Sequence, residues 1–128
     1  MTWAGITIEN PGGAVTISAG NSLTLGANAT DINMSAATVN LTLNNALILG
    51  DANVWNVATG RVLTLNGGVS GAFPITKSGG GTAILTGVNT YTGSTTLAAN
   101  SGTFKIGGTG TLGSGTHAGA IEIGSGSI

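Results

Sequence analysis

The sequence predicts an all-β chain wound as a right-handed parallel β-helix, and three observations carry that prediction. Short bursts alternating apolar and polar residues recur along the chain, at Ile6 to Ile8, Leu23 to Leu25, Leu41 to Leu43, Leu63 to Leu65, Ile84 to Thr86, Phe104 to Ile106 and Ile121 to Ile123. Their spacing settles at roughly 17–22 residues, a repeat length that marks a solenoid, in which each coil covers the apolar face of the one before. Charged residues make up only 5% of the chain, while 24 of its 128 residues are glycine and 41% are hydrophobic.

Each observation has a physical reason. Alternation with period two marks a half-buried strand, and bursts of three to six residues are too short for a helix. Nothing in the chain sustains the i, i+3, i+4, i+7 spacing of a helical repeat. In stacked coils like side chains lie over one another about 4.8 Å apart, so a column of lysine or glutamate would repel itself. Threonine and serine suit the outer rows, and valine, isoleucine and leucine fill the inner ones. The high glycine content does not signal disorder, because disordered chains are poor in aliphatic residues and rich in charge.

Taken in order, the predicted strands are Ile6–Ile8, Val15–Ile17, Leu23–Leu25, Ile32–Met34, Val39–Leu43, Leu47–Leu49, Val54–Val57, Val62–Leu65, Ile75–Lys77, Ile84–Thr86, Thr95–Leu97, Phe104–Ile106 and Ile121–Ile123. Turn signals separate them, among them Asn10-Pro11-Gly12-Gly13, Gly20-Asn21, Asn44-Asn45 and Asn66-Gly67-Gly68. The expectation is one solenoid domain over 1–128, with about five to seven coils of two or three strands each. The asparagines Asn45, Asn66, Asn89 and Asn100, with Asn21, Asn28 and Asn53, are read as structural corners, since asparagine bonds local backbone and tolerates left-handed conformations.

The composition excludes several functions. A net charge of −1 and three basic residues, Arg61, Lys77 and Lys105, leave no patch to neutralise phosphates, so no nucleic-acid partner is expected. With no cysteine there is neither a disulfide framework nor a thiolate metal site. No run of 18 apolar residues exists, so no membrane insertion is expected of this segment. The first residues lack the basic start and apolar core of a signal peptide, so if the protein is exported this chain is an excerpt whose targeting parts lie elsewhere.

The segment from Val62 to Ser114 resembles the autotransporter passenger-associated β-strand repeat. Thr76, Lys77, Gly79, Gly81 and Thr82 match its Thr-Lys-x-Gly-x-Gly-Thr part. Leu85, Thr86, Gly87, Asn89, Thr90, Tyr91, Thr92 and Gly93 match the next part without a gap. Thr95, Thr96 and Leu97 follow, Gly102, Thr103 and Phe104 stand in for the closing segment, and Thr111 to Ser114 resemble the start of a further coil. Ser94 replaces a usual glycine, and the link from Ala98 to Ser101 is longer than usual. Residues 1–61 share only the rhythm. The resemblance implies a non-enzymatic, exported segment at the bacterial cell surface or outside the cell, serving as stalk and export-assisting repeat; an adhesin scaffold with a host or matrix surface as ligand is the nearest alternative. It brings no catalytic residue and no cofactor.

Two other readings stand beside it. A fibre subunit would stack head to tail through uncapped coils. A polysaccharide-active β-helix would need two carboxylates about 5–9.5 Å apart, and Asp31 with Asp51 is the one pairing that coil spacing brings near. His117, the lone imidazole, reads as an exposed loop residue, and Gly79-Gly80-Gly81 lacks the lysine and helix of a phosphate loop. Triplets at Asn28, Asn33 and Asn40 fit a glycosylation acceptor only by composition. Trp55 covers a core or a loop or, if it points outward, is the candidate surface contact; Phe104 is read as a core residue and Trp3 as a cap on the first coil.

Overall fold

The computed structural model describes residues 1–26, 30–112, 117 and 119–128. Among them are seventeen strands and no helix, hence none long and apolar enough to cross a membrane. The strands fall into successive triplets, each one turn of a β-solenoid. The first coil is β1 (Thr2–Trp3), β2 (Ile6–Thr7) and β3 (Val15–Ile17). The second is β4 (Leu23–Leu25), β5 (Ile32–Met34) and β6 (Leu41–Leu43). The third is β7 (Leu47–Leu49), β8 (Asn53–Val57) and β9 (Val62–Leu65).

The fourth coil is β10 (Val69–Ser70), β11 (Ile75–Ser78) and β12 (Thr82–Leu85), and the fifth β13 (Val88–Asn89), β14 (Thr95–Leu97) and β15 (Thr103–Ile106). A sixth begins with β16 (Thr111–Leu112) and β17 (Ile121–Ile123). The solenoid thus has about five turns, with three strands to each.

Four parallel sheets make up the three faces of the stack. The first face is β1-β4-β7-β10, continued by β13-β16; the second runs from β2 through β5, β8, β11 and β14 to β17; the third runs from β3 through β6, β9 and β12 to β15. The break in the first face is bridged by backbone bonds, the N–H groups of Thr90 and Tyr91 both donating to the Val69 carbonyl (2.7 and 3.2 Å) and Thr92 N–H donating to Gly71 O (3.0 Å). Thr2 faces Thr24, Leu41 faces Leu63 and Asn53 faces Ile75, so one turn consumes the same length of chain at each of these places. The step shortens from Ile75 to Thr95 and lengthens from Thr95 to Ile121, so corner length varies while the stacked strands keep their places.

The alternation read from the sequence becomes the wall of the core. Leu23 and Leu25, Ile32 and Met34, Leu41 and Leu43, and Leu63 and Leu65 are buried, while the residue between each pair is only half-buried. All belong to one continuous apolar column running up the stack. Each such side chain removed from water contributes roughly 1.5–3 kcal/mol, and an interstrand ladder satisfies the backbone beneath it. Outside, Thr16, Thr42 and Thr64 form a threonine row on the third face, followed by Ile84 and Lys105.

The corner between the second and third faces repeats one turn. Arg61 N–H donates to Ala58 O (3.0 Å), Ser101 to Ala98 (3.1 Å) and Ser127 to Gly124 (3.1 Å). The third residue of each turn has positive φ: Gly60 at 75°, Asn100 at 53° and Gly126 at 75°. Glycine or asparagine is what a type II turn requires there.

Candidate functional site

The polar side chains divide by the direction in which their strand points them. Asn45 and Asn66 sit at the corner between the third and first faces, where coils are tied by side chains. Asn45 Nδ2 donates to Asn21 O (3.0 Å), Asn66 Nδ2 donates to Asn44 Oδ1 (2.7 Å), and Thr86 Oγ1 donates to Asn66 Oδ1 (2.8 Å). Asn44, Asn66 and Thr86 therefore make a hydrogen-bonded ladder across three coils. Asn100 lies exposed in its turn, its backbone N–H donating to Ser125 O (2.8 Å). Asn28 lies outside the described residues, as do Gly113 and Ser114.

Asn89 departs from the corner reading, for it ends β13 with its side chain wholly inside. Its Oδ1 accepts from Val69 N–H (3.1 Å), and its Nδ2 donates to Gly87 O (2.7 Å) and Thr111 O (2.9 Å). One amide thus joins the fourth, fifth and sixth coils. Asn53 is the counterpart on β8, donating to Asp51 O (3.1 Å) and accepting from Trp55 Nε1 (3.3 Å).

Trp55 is corrected from a surface contact to a core residue. On β8 the inward positions are Asn53, Trp55 and Val57, while Val54 and Asn56 face out, so the indole is 0% exposed. Its flanking valines belong to opposite sides of the strand, which is why they leave its direction open. Phe104 packs against the core, and Trp3 is 37% exposed on β1. Trp3 lines an apolar depression of about 230 Å³ with Met1, Ile17, Leu23 and Asn45.

Asp31 and Asp51 are near enough for the charge of one to bear on the other. The Asp31 carboxyl is fully buried, with Oδ2 accepting from Val54 N–H (2.9 Å) and Oδ1 without a partner. Burial pushes its pKa up, the Val54 N–H pulls it back, and the Asp51 charge adds to the rise. A carboxyl enclosed in this way meets no polysaccharide chain. His117 is half-buried rather than exposed, its ring edge-on to Tyr91 at 5.0 Å and 61°, with neither ring nitrogen partnered. Burial raises the Tyr91 phenol, whose hydroxyl bonds Thr95 Oγ1 at 2.6 Å. No cluster of three or more His, Asp or Glu side chains with the makeup of a metal site occurs among the described residues.

The residue that sequence reasoning passed over is Lys77. It lies on β11 in phase with Ile75, and the burial pattern of that strand places both inside. Its ammonium is 0% exposed and donates to the carbonyls of Ser78 (3.3 Å), Gly79 (2.9 Å) and Ser101. Burial lowers its pKa to about 8. The in-phase position was the available signal, overridden by the ordinary expectation that lysine faces water.

Comparison with protein-family models, with curated proteins and with solved structures found no match to this chain.

Proposed function

We propose that this chain is a non-enzymatic structural segment, a β-solenoid stalk or adhesin scaffold of a bacterial surface-displayed or secreted protein. One observation carries the reading: three faces of parallel strands wind through about five turns around a single apolar core, tied by side-chain ladders at the corners. Such a stack transmits load along its axis through many parallel strand pairs. The motif from Thr76 to Gly93, which resembles the autotransporter-associated repeat, occupies the fourth coil and its passage into the fifth, and supports the exported setting. Pulling a single molecule between its two ends tests the stalk role. Stepwise release of about one coil per event is the expected record. Loss of all coils in one event at the lowest measurable force would sink the reading.

A second reading has its own observation. Ile121 and Ile123 occupy core-register positions opposite Thr95 and Leu97, yet are 53% and 62% exposed, and Ile128 is 78% exposed. A further coil laid on β17 would cover them. Supplied by another copy, that coil would make a head-to-tail fibre. Electron microscopy over a concentration series separates the two: filaments lengthening with concentration favour the fibre, and discrete particles at every concentration favour the stalk.

A further inference from the structure

We propose that Lys77 is a register key: its buried ammonium, bonded to the turn carbonyls of its own coil and to Ser101 O of the next, fixes where the fifth coil docks on the fourth. The geometry begins at Gly79. The strand register with the third coil ends at Ser78, opposite Asn56, and Gly79 turns the chain away at φ 72°. A Cβ there would collide with the Val57 carbonyl oxygen. The Lys77 side chain runs toward this corner and ends on the Ser78 and Gly79 carbonyls.

Those two bonds are local and would survive a shift of the neighbouring coil. The bond to Ser101 O would not, because Ser101 follows β14 and moves with it. Period-two alternation forbids a slip of one residue, which would turn every side chain over, but permits a slip of two. Corner length offers no guard, since the step from Ile75 to Thr95 is visibly shorter than the next, from Thr95 to Ile121. A slip of two displaces Ser101 O by about 6.6 Å, beyond any hydrogen bond. Ser101 passes the constraint upward: its N–H donates to Ser127 Oγ (2.9 Å), and the two hydroxyls lie 3.1 Å apart.

Burial disfavours the charged form, a cost that an apolar side chain of the same length would avoid only by leaving the Ser78, Gly79 and Ser101 carbonyls without this donor. A buried polar group that costs stability yet selects one pairing is the known use of such residues in coiled coils. The strands on either side, β8 and β14, carry no titratable side chain, and Lys105 on β15 and Glu122 on β17 are exposed, so the carbonyls are what the ammonium answers to.

The chain has no cysteine, so introduced pairs report register without interference. Thr76 and Thr96 face each other in the native register. Thr76→Cys with Thr96→Cys therefore traps that register, whereas Ser78→Cys with Thr96→Cys, or Thr76→Cys with Ala98→Cys, traps a slip of two in either direction. A diagonal pair stands about 8 Å apart in the native stack, too far for a disulfide. With Lys77 present, only the native pair is expected to cross-link. In the Lys77→Met background, at least one slipped pair is expected to cross-link to an extent comparable with the native pair. Cross-linking confined to the native pair in that background overturns the proposal. So does failure of Lys77→Met to fold, which would make Lys77 a stabilising element instead.

Discussion

Trp55 and Phe104 stack with ring centroids 6.4 Å apart and planes inclined by 18°, although one belongs to the third coil and the other to the fifth. The small side chain of the intervening coil allows this. Ala83 is the Cα partner of Phe104 on one side and of Leu63 on the other, and it is fully buried. An alanine at that position leaves the height of a coil for two aromatic rings to close.

Filling that gap is expected to part the rings. Ala83→Leu adds volume where none is free and is predicted to cost about 1–3 kcal/mol, while Phe104→Ala is predicted to cost roughly 2–4 kcal/mol. Urea unfolding followed by Trp55 emission in a Trp3→Phe background measures both. Unchanged midpoints would mean that the stack contributes nothing.

Asn89 offers a sharper case. Asn89→Ala strands the Val69 N–H and the Gly87 and Thr111 carbonyls inside the coil, and is predicted to cost about 2–4 kcal/mol. Asn89→Asp keeps the acceptor for Val69 but loses both donated bonds and adds a buried charge, so it is expected to be worse at neutral pH. Chemical denaturation of the two variants ranks them; an aspartate variant more stable than the alanine one would contradict the bonding described.

Lys77 makes stability depend on alkaline pH. Its folded-state pKa of about 8 lies below the ordinary 10.5, so the unfolded chain holds the proton over that interval. Stability is expected to be flat below pH 8 and to rise above it, by at most about 1.4 kcal/mol per pH unit. Tyr91, with its phenol raised by burial, opposes the rise above about pH 10. Denaturation midpoints at pH 7 and 9.5 should differ in the native chain and coincide in Lys77→Met; a rise kept in the variant rules Lys77 out as its source.

Asp31 acts in the acid range with the opposite sign. Its folded pKa is raised above 3.8, so its favourable contribution exists below that value and disappears as pH climbs through the folded one. Asp31→Asn keeps an oxygen to accept from Val54 and removes the buried charge. It is predicted to raise the midpoint at pH 7 and to leave it nearly unchanged at pH 3. An equal shift at both would point to packing instead.

The second and third faces were legible in the sequence because most of their strands carry enough residues to show alternation, as in Ile32–Met34 and Val62–Leu65. The first face was half hidden. Val69–Ser70, Val88–Asn89 and Thr111–Leu112 are two-residue strands set among glycines and asparagines, and two residues cannot display a period. Polar residues inside the wall misled for a different reason. Asn89 and Lys77 stand where an isolated sequence favours solvent, and only the carbonyls and N–H groups of neighbouring coils, a full turn of chain away, make the interior acceptable to them. Trp55 stayed open between wall and surface because its strand carries a valine on each side of the wall.

In a stack where each coil rests on the next, a genome can lengthen or shorten the protein by copying or deleting one winding, and the product folds on the same template. The Trp55–Phe104 stack marks a place where that freedom ends. Deleting the fourth winding would bring the two rings onto adjacent levels, and duplicating it would carry them out of reach. Variation in length is therefore expected to accumulate on either side of the Trp55 to Phe104 span, which inheritance should pass on as an indivisible block.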